Sequence, residues 1–288
     1  MARTDWRRPA LLPLEDGYKR VRLLVAYDGS LFNGWQCQSN GVGVQDVLNS
    51  GLLEIYKCSV SVQGSGRTDS GVHALGQVCH FDVPVSQSAI PDGKVSAALN
   101  AILPPGVRVL ESSSADGSFH ARFTTMAREY RYYAVTSAAM LPSDRGHLAV
   151  YGRLPDIALL DSYAELLYGT HDFTTFASAR DESPSRFRDI YESSWTLVSD
   201  MFGRTVYCYR VVGNAFLYHQ VRSMVGTMIC MGNDGSTAGD FRRVLESRDR
   251  TLARTTAPAA GLYLYRISYD SGEYQWFEED PDGKRQRC

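Results

Sequence analysis

The sequence predicts an α+β protein, built mainly from antiparallel strands with helices packed on one face. Three observations carry that prediction. Short segments rich in β-branched and aromatic residues, such as 21–27 and 205–212, outnumber the helical ones and end at Gly, Asp or Pro turns. A few longer segments carry apolar residues at helical spacing instead. The strand, helix, strand, helix, strand pattern then runs through the chain twice, without a sequence repeat between the two passes.

The elements follow in order. Residues 1–17 are rich in Arg and Pro and are expected to be mobile. Residues 21–27 read as a strand closed by the Asp28-Gly29-Ser30 turn, and a loop holding Phe32, Gly34, Trp35 and Gln36 comes next. Val44, Val47, Leu48, Gly51, Leu52 and Ile55 share one helical face. Strands at 58–62 and 77–82 flank a glycine-rich loop. A short helix at 95–102 is stopped by Pro104-Pro105-Gly106, and a strand follows at 107–110.

The pattern restarts near Phe119. Residues 128–135 read as a strand and 157–167 as a helix, before an aromatic and polar loop from His171 to Ser185. Strands at 190–197 and 205–212 are joined by a turn at 200–203. Leu217, Val221, Met224, Val225, Met228 and Ile229 give an amphipathic helix, residues 240–246 another, and 262–269 a closing strand. The expected organisation is an N-terminal half over 18–118, a C-terminal half over 119–270 and a loosely held tail at 271–288. Each half reads as a ferredoxin-like, or RRM-like, unit, with a catalytic cleft expected between them.

Composition narrows the function. The chain has 288 residues and a net charge of -2, so any nucleic-acid partner needs a local basic patch. Candidate patches are Lys19, Arg20 and Arg22; Arg122, Arg128 and Arg131; Arg180, Arg186 and Arg188; and Arg242 with Arg243. The six cysteines (Cys37, Cys58, Cys79, Cys208, Cys230 and Cys288) form no CxxC pair, and no His stands at zinc-ligand spacing to one. No metal or cofactor and a reducing cytoplasm are expected. Neither a signal peptide nor a membrane span is read from the sequence.

The most informative stretch is the glycine-rich loop Gly64-Ser65-Gly66-Arg67-Thr68-Asp69-Ser70-Gly71-Val72-His73-Ala74. Glycine permits positive φ and close approach of a second backbone there. A carboxylate two residues from a guanidinium, on a loop between strands, is a candidate catalytic group. Ordinary turn chemistry is the competing reading. A nucleotide-phosphate loop is disfavoured, because no spaced glycines precede a Lys-Ser/Thr pair.

Several stretches together resemble the TruA-type tRNA pseudouridine synthases. The loop resembles that family's GRTD-x-GVHA signature, and Tyr27-Asp28-Gly29-Ser30 through Gly34-Trp35-Gln36 resembles its YDG…GWQ segment. Phe119-His120-Ala121-Arg122-Phe123, Arg128-Glu129-Tyr130-Arg131-Tyr132 and Gly169-Thr170-His171-Asp172-Phe173 resemble further family segments. So do Asn214 to Arg222 and Ala257 to Leu264. The matches run in order from about residue 20 to 270. Departures are mild: Ser70 replaces a frequent alanine, and Gln220 and Ser223 stand where Met and Asn are frequent.

The resemblance implies isomerisation of uridine to pseudouridine at tRNA positions 38, 39 or 40, without cofactor or metal. It also implies a homodimer with tRNA lying across both subunits. Asp69 matches the family's catalytic aspartate, Arg67 and Arg222 its basic partners, and Tyr130 the tyrosine that stacks on the target base. A nearby guanidinium favours the charged carboxylate, which can then act as nucleophile or charge stabiliser. Tyr132 and Tyr133 rival Tyr130. His73, His171 and His219 read as structural groups, and Trp35 and Phe32 as packing. Two other functions fit the same residues: a tRNA-binding or folding protein with an inactive site, and a hydrolase using Asp69 and His73.

Overall fold

The computed structural model describes residues 13–36 and 41–270. Most of the expected mobile segment 1–17, the whole tail 271–288, and Cys37 and Cys288 lie outside the described residues. The chain divides into two compact units. One contains residues up to Thr125 together with Leu264–Ile267, and the other runs from Met126 to Tyr263 and resumes at Ser268. The fold is α+β with mainly antiparallel pairing.

The first unit contains β1 (Tyr18–Tyr27), α1 (Val44–Tyr56), β2 (Gln63–Gly64), β3 (His73–Pro84), α2 (Val95–Asn100) and β4 (Val107–Ala115). Its hydrogen-bonded order is β4-β1-β3, with β2 also on β3, all antiparallel. Val21, Leu23, Val25 and Tyr27 alternate into the core, as the period of two requires. Val44, Leu48, Leu52 and Tyr56 form the buried face of α1, and Tyr56 packs against Phe81 of β3.

The strand expected at 58–62 is not formed. Asn49 Oδ1 accepts from the Val62 N–H at 2.9 Å, and Gln45 Nε2 donates to its carbonyl at 2.7 Å. Side chains of α1 therefore satisfy the backbone that a strand partner would have satisfied. Only Gln63–Gly64 pairs, against Cys79 and His80.

The first basic cluster is used inside this unit. Arg20 forms a two-pronged pair with Asp82 at 2.7 and 2.6 Å and donates to the carbonyls of Gly117 and Phe119. Lys19 pairs with Asp92. Beside Arg20, His80 is buried and accepts from the Ala121 N–H at 3.2 Å. Burial, with the Arg20 charge, pushes its pKa down to about 3. The folded His80 thus stays neutral where an unfolded histidine, with a pKa of about 6.5, takes a proton. Stability is expected to fall as pH drops from 6.5 towards 3, by about 1.4 kcal/mol per pH unit from this site. Urea unfolding at pH 7 and pH 5 measures the drop. His80→Gln, which keeps an acceptor but cannot titrate, should show a smaller one.

The second unit contains β5 (Ala127–Thr136), β6 (Ala149–Tyr151), α3 (Ile157–Glu165), β7 (Gly169–Asp172), β8 (Phe187–Ser199) and β9 (Thr205–Gly213). It continues with α4 (Gln220–Asn233) and α5 (Ala238–Glu246). The last strand, β10 (Leu262–Ser268), gives its central residues Leu264–Ile267 to the first unit. Antiparallel neighbours run β5-β9-β8-β7, and β6 joins β5 in parallel. Neither β6 nor β7 is expected from the sequence. Each is too short to show alternation, and β7 lies at the start of the segment read as loop.

The predicted amphipathic face of α4 is buried, but the helix begins at Gln220 and not at Leu217. His219 adopts φ 63°, outside the helical region, and the Gln220 side chain accepts from the Leu217 N–H at 2.8 Å. Trp195 of β8 ties the sheet to this helix by donating to Met228 Sδ. The opposite sheet face carries a polar cluster. Glu129 is buried between Arg131 at 2.8 Å and Arg210 at 2.9 Å. Burial alone would raise its pKa, yet hydrogen bonds from the two guanidinium groups hold it below the usual value. Arg131, read from sequence as part of a basic patch, is thereby committed to an internal ion pair.

Candidate active site

The glycine-rich loop is fixed along most of its length. Gly64 has no room for a side chain, because the Trp35 indole lies 2.6 Å from where a Cβ would stand. Ser65 N–H donates to the Val78 carbonyl, and buried Gln77 donates to the Gly66 carbonyl at 2.7 Å. Thr68 is held twice. Its hydroxyl shares a 2.7 Å hydrogen bond with Tyr27, and its carbonyl accepts from the Trp35 N–H at 3.1 Å. Gly34, at φ +89°, lets the two loops meet, since a Cβ there would stand 2.6 Å from the Thr68 carbonyl. Phe32 and Trp35 are buried packing residues, as read from the sequence.

Asp69 opens the next turn. The Val72 N–H donates to the Asp69 carbonyl at 3.1 Å, and Gly71 sits at φ +79°. A turn with positive φ at its third residue calls for glycine, which explains the Asp-Ser-Gly-Val order. His73 follows, buried, with Nδ1 accepting from the Gly29 N–H at 3.1 Å. It orders the loop rather than reaching outward. Between these fixed points Arg67 is exposed and Asp69 half-buried. The structure thus presents a guanidinium and a carboxylate two residues apart on a braced loop.

Tyr130 and Arg222 belong to the second unit. Tyr130, on β5, is 8% exposed and meets Phe216 edge to face at 5.2 Å. The neighbouring tyrosines have other duties. Tyr132 is fully buried, with its hydroxyl 3.1 Å from that of Tyr151. Tyr133 packs edge to face on Tyr263. Burial pushes the Tyr132 phenol well above the usual range and that of Tyr151 up to about 12, while the Arg222 charge opposes both shifts. Arg222 therefore lies within electrostatic reach of that buried pair.

The Arg222 fork is anchored at Nε. Its Nε donates to the Ala257 carbonyl at 2.8 Å, and the Ala257 N–H donates back to the Arg222 carbonyl at 3.0 Å. Gly226, one helical turn on, permits the crossing, because a Cβ there would stand 1.9 Å from the Thr255 carbonyl. Farther along the same strap, the Arg254 N–H donates to Thr227 Oγ1. The chain before β10 is thus a clamp on the first two turns of α4. His171 bonds the Tyr168 carbonyl through Nε2, and the His219 ring packs at a tilt beside that of Tyr218, so both serve local structure.

Two features escape sequence reasoning. Tyr151 sits on β6, a strand too short to recognise, and its pairing with Tyr132 leaves no local mark in the sequence. Asp181 organises the loop before β8 by accepting from Arg186, from the Ser183 N–H and from the Tyr218 N–H. The Asp-Glu-Ser-Pro composition at 181–184 signals a turn, but not these partners. Among the described residues, no group of three or more His, Cys, Asp or Glu is placed to hold a metal ion. No described helix is long and apolar enough to cross a membrane.

Comparison with known proteins adds a second line of observation. Residues 23–124 and 163–270 match a family model described as tRNA pseudouridine synthase. The chain is 39% identical over 254 residues to tRNA pseudouridine synthase A of Bacillus subtilis (strain 168), covering 88% of this chain and all of that protein. Its identity to the protein of the same name from Bacillus velezensis is 41% over 255 residues, with 88% and 100% covered. That of Latilactobacillus sakei is 39% identical over 252 residues, with 87% and 99% covered.

Proposed function

The chain belongs to the tRNA pseudouridine synthase family and is an isomerase acting on uridine in tRNA, and we propose that its targets are positions 38, 39 and 40 of the anticodon stem-loop. Asp69 is the catalytic carboxylate, Arg67 and Arg222 its cationic partners, and Tyr130 the surface on which the target uracil stacks. The observation that carries this reading is the braced turn at Asp69. Gly71, Thr68 and the Trp35 loop hold the main chain on both sides of that carboxylate.

The chemistry follows from the reaction. The N1–C1′ bond of the uridine breaks, the uracil turns, and a C5–C1′ bond forms. C5 loses a proton and N1 regains one, so mass and chain length stay unchanged. An ionised carboxylate can add to the electron-poor centre or stabilise its charge. The Tyr130 phenol, beside the base, relays the proton lost from carbon. A base stacked in a stem is out of reach, so the nucleotide is flipped out at a cost of about a few kcal/mol, offset by pocket contacts. The enzyme acts in the cytoplasm as a homodimer.

Chemical mapping of pseudouridine in tRNA tests the target. In cells lacking this protein, the expected loss is confined to positions 38–40 and is restored by the intact gene. Loss elsewhere in tRNA, with those positions unchanged, would overturn the assignment.

A further inference from the structure

Three arginines of the second unit gather at the loop between β7 and β8. Arg128 stands two residues before Tyr130 on β5, hence on the same face and about 7 Å along the strand. Its Nη1 donates to the Asn214 carbonyl at 2.7 Å. Arg186 grips Asp181 with both Nη atoms, at 2.6 Å to the carboxylate and 2.8 Å to the main-chain carbonyl. Arg188 donates to the carbonyls of Ser185 at 2.9 Å and Phe187 at 2.6 Å, while its Nε is buried with no hydrogen-bond partner.

Three cations here face two carboxylates, Asp181 and Asp189. Burial, with the charges of Arg128 and Arg186 and against those of Asp181 and Asp189, pushes the Arg188 guanidinium down to about 10, so it stays charged at neutral pH. Both carboxylates are already engaged: Asp181 also accepts from the Ser183 and Tyr218 N–H groups, and Asp189 accepts from Thr170 Oγ1 and Asn214 Nδ2. Tyr218, fixed by that contact, is 41% exposed. Two residues earlier, Phe216 packs against Tyr130.

We propose that Arg128, Arg186 and Arg188 bind one backbone phosphate of the RNA, and that Tyr218 stacks on the base beside it. This inference rests on the reading of the chain as a tRNA uridine isomerase, with Tyr130 at the reacting base. The spacing from Arg128 to Tyr130 then places the bound phosphate next to the flipped nucleotide. Arginine suits the task because its planar fork matches two phosphate oxygens while its other nitrogens keep their carbonyl partners.

Binding of unmodified full-length tRNA across a salt series tests the proposal. Arg188→Gln is expected to weaken binding roughly tenfold and to lower the slope of log Kd against log salt by about one. Arg128→Gln should behave alike and serves if Arg188→Gln fails to fold. Tyr218→Ala is expected to lose roughly tenfold in affinity with the slope unchanged, since stacking releases no counterions. Arg186→Lys, which keeps the charge, should keep the wild-type slope. Wild-type affinity and slope in Arg188→Gln or Arg128→Gln would overturn the phosphate site. Weaker binding with an unchanged slope would also overturn it, as a structural effect. The wild-type protein is assayed for pseudouridine on the same tRNA. Its failure there would sink the isomerase reading itself, whereas its success beside an unchanged slope sinks only the phosphate site.

Discussion

Asp69→Ala is expected to abolish pseudouridine formation, by about ten-thousand-fold or more in single turnover, while tRNA is still bound. That magnitude is the order seen when an enzyme loses its nucleophile. The variant should fold, because the loop has anchors of its own on either side of this residue. Thr68 is held by Tyr27 and Trp35, and the turn after Asp69 closes through its carbonyl and through Gly71. Asp69→Asn is the sharper variant. It keeps the shape and removes the charge, so a carboxylate acting as nucleophile or charge stabiliser predicts nearly the same loss. Pseudouridine yield within tenfold of wild type in either variant would remove Asp69 from the mechanism. The same experiment decides between an isomerase and a tRNA-binding protein with an inactive site. If the wild-type protein binds tRNA and yields no pseudouridine, the second description stands.

The parts of the molecule legible in the sequence are those governed by short-range rules. Val21, Leu23, Val25 and Tyr27 alternate because a strand has period two, and they point into the core as that pattern demands. The buried stripe of α4 was readable from its spacing, and Gly71 from the turn that needs it. Illegible parts depend on partners distant in sequence. Residues 58–62 look like a strand until Gln45 and Asn49 of α1 take the Val62 backbone. Arg20 looks like a surface cation until Asp82 and two carbonyls surround it. Tyr130, Tyr132 and Tyr133 are equivalent by composition, and only burial and ring contacts separate them. Basic residues that cluster along the chain divide in the same way. Arg131 is spent on Glu129, whereas Arg128, three residues earlier, joins Arg186 and Arg188.

Arg222→Ala is expected to lower the single-turnover rate by about a hundredfold to a thousandfold, the size of losing one preorganised donor to a developing charge. Arg222→Lys should recover little of it. A lysine supplies the charge, but as a point donor on a flexible stem, without the planar fork. In this protein the fork is oriented by the bond from Nε to the Ala257 carbonyl, an anchor an ammonium cannot make while presenting two further nitrogens in one plane. With Arg222 in its proposed role, the 254–257 strap positions a catalytic group, so Gly226→Ala supplies an independent check. Its new methyl group would stand where the Thr255 carbonyl lies, and it should displace the strap and the Arg222 anchor together. The expected result is a rate loss in Gly226→Ala that does not add to that of Arg222→Ala in the double variant. Full additivity would mean that the strap and the arginine act separately. A rate for Arg222→Lys within threefold of wild type would show that charge alone suffices and that the fork has no role.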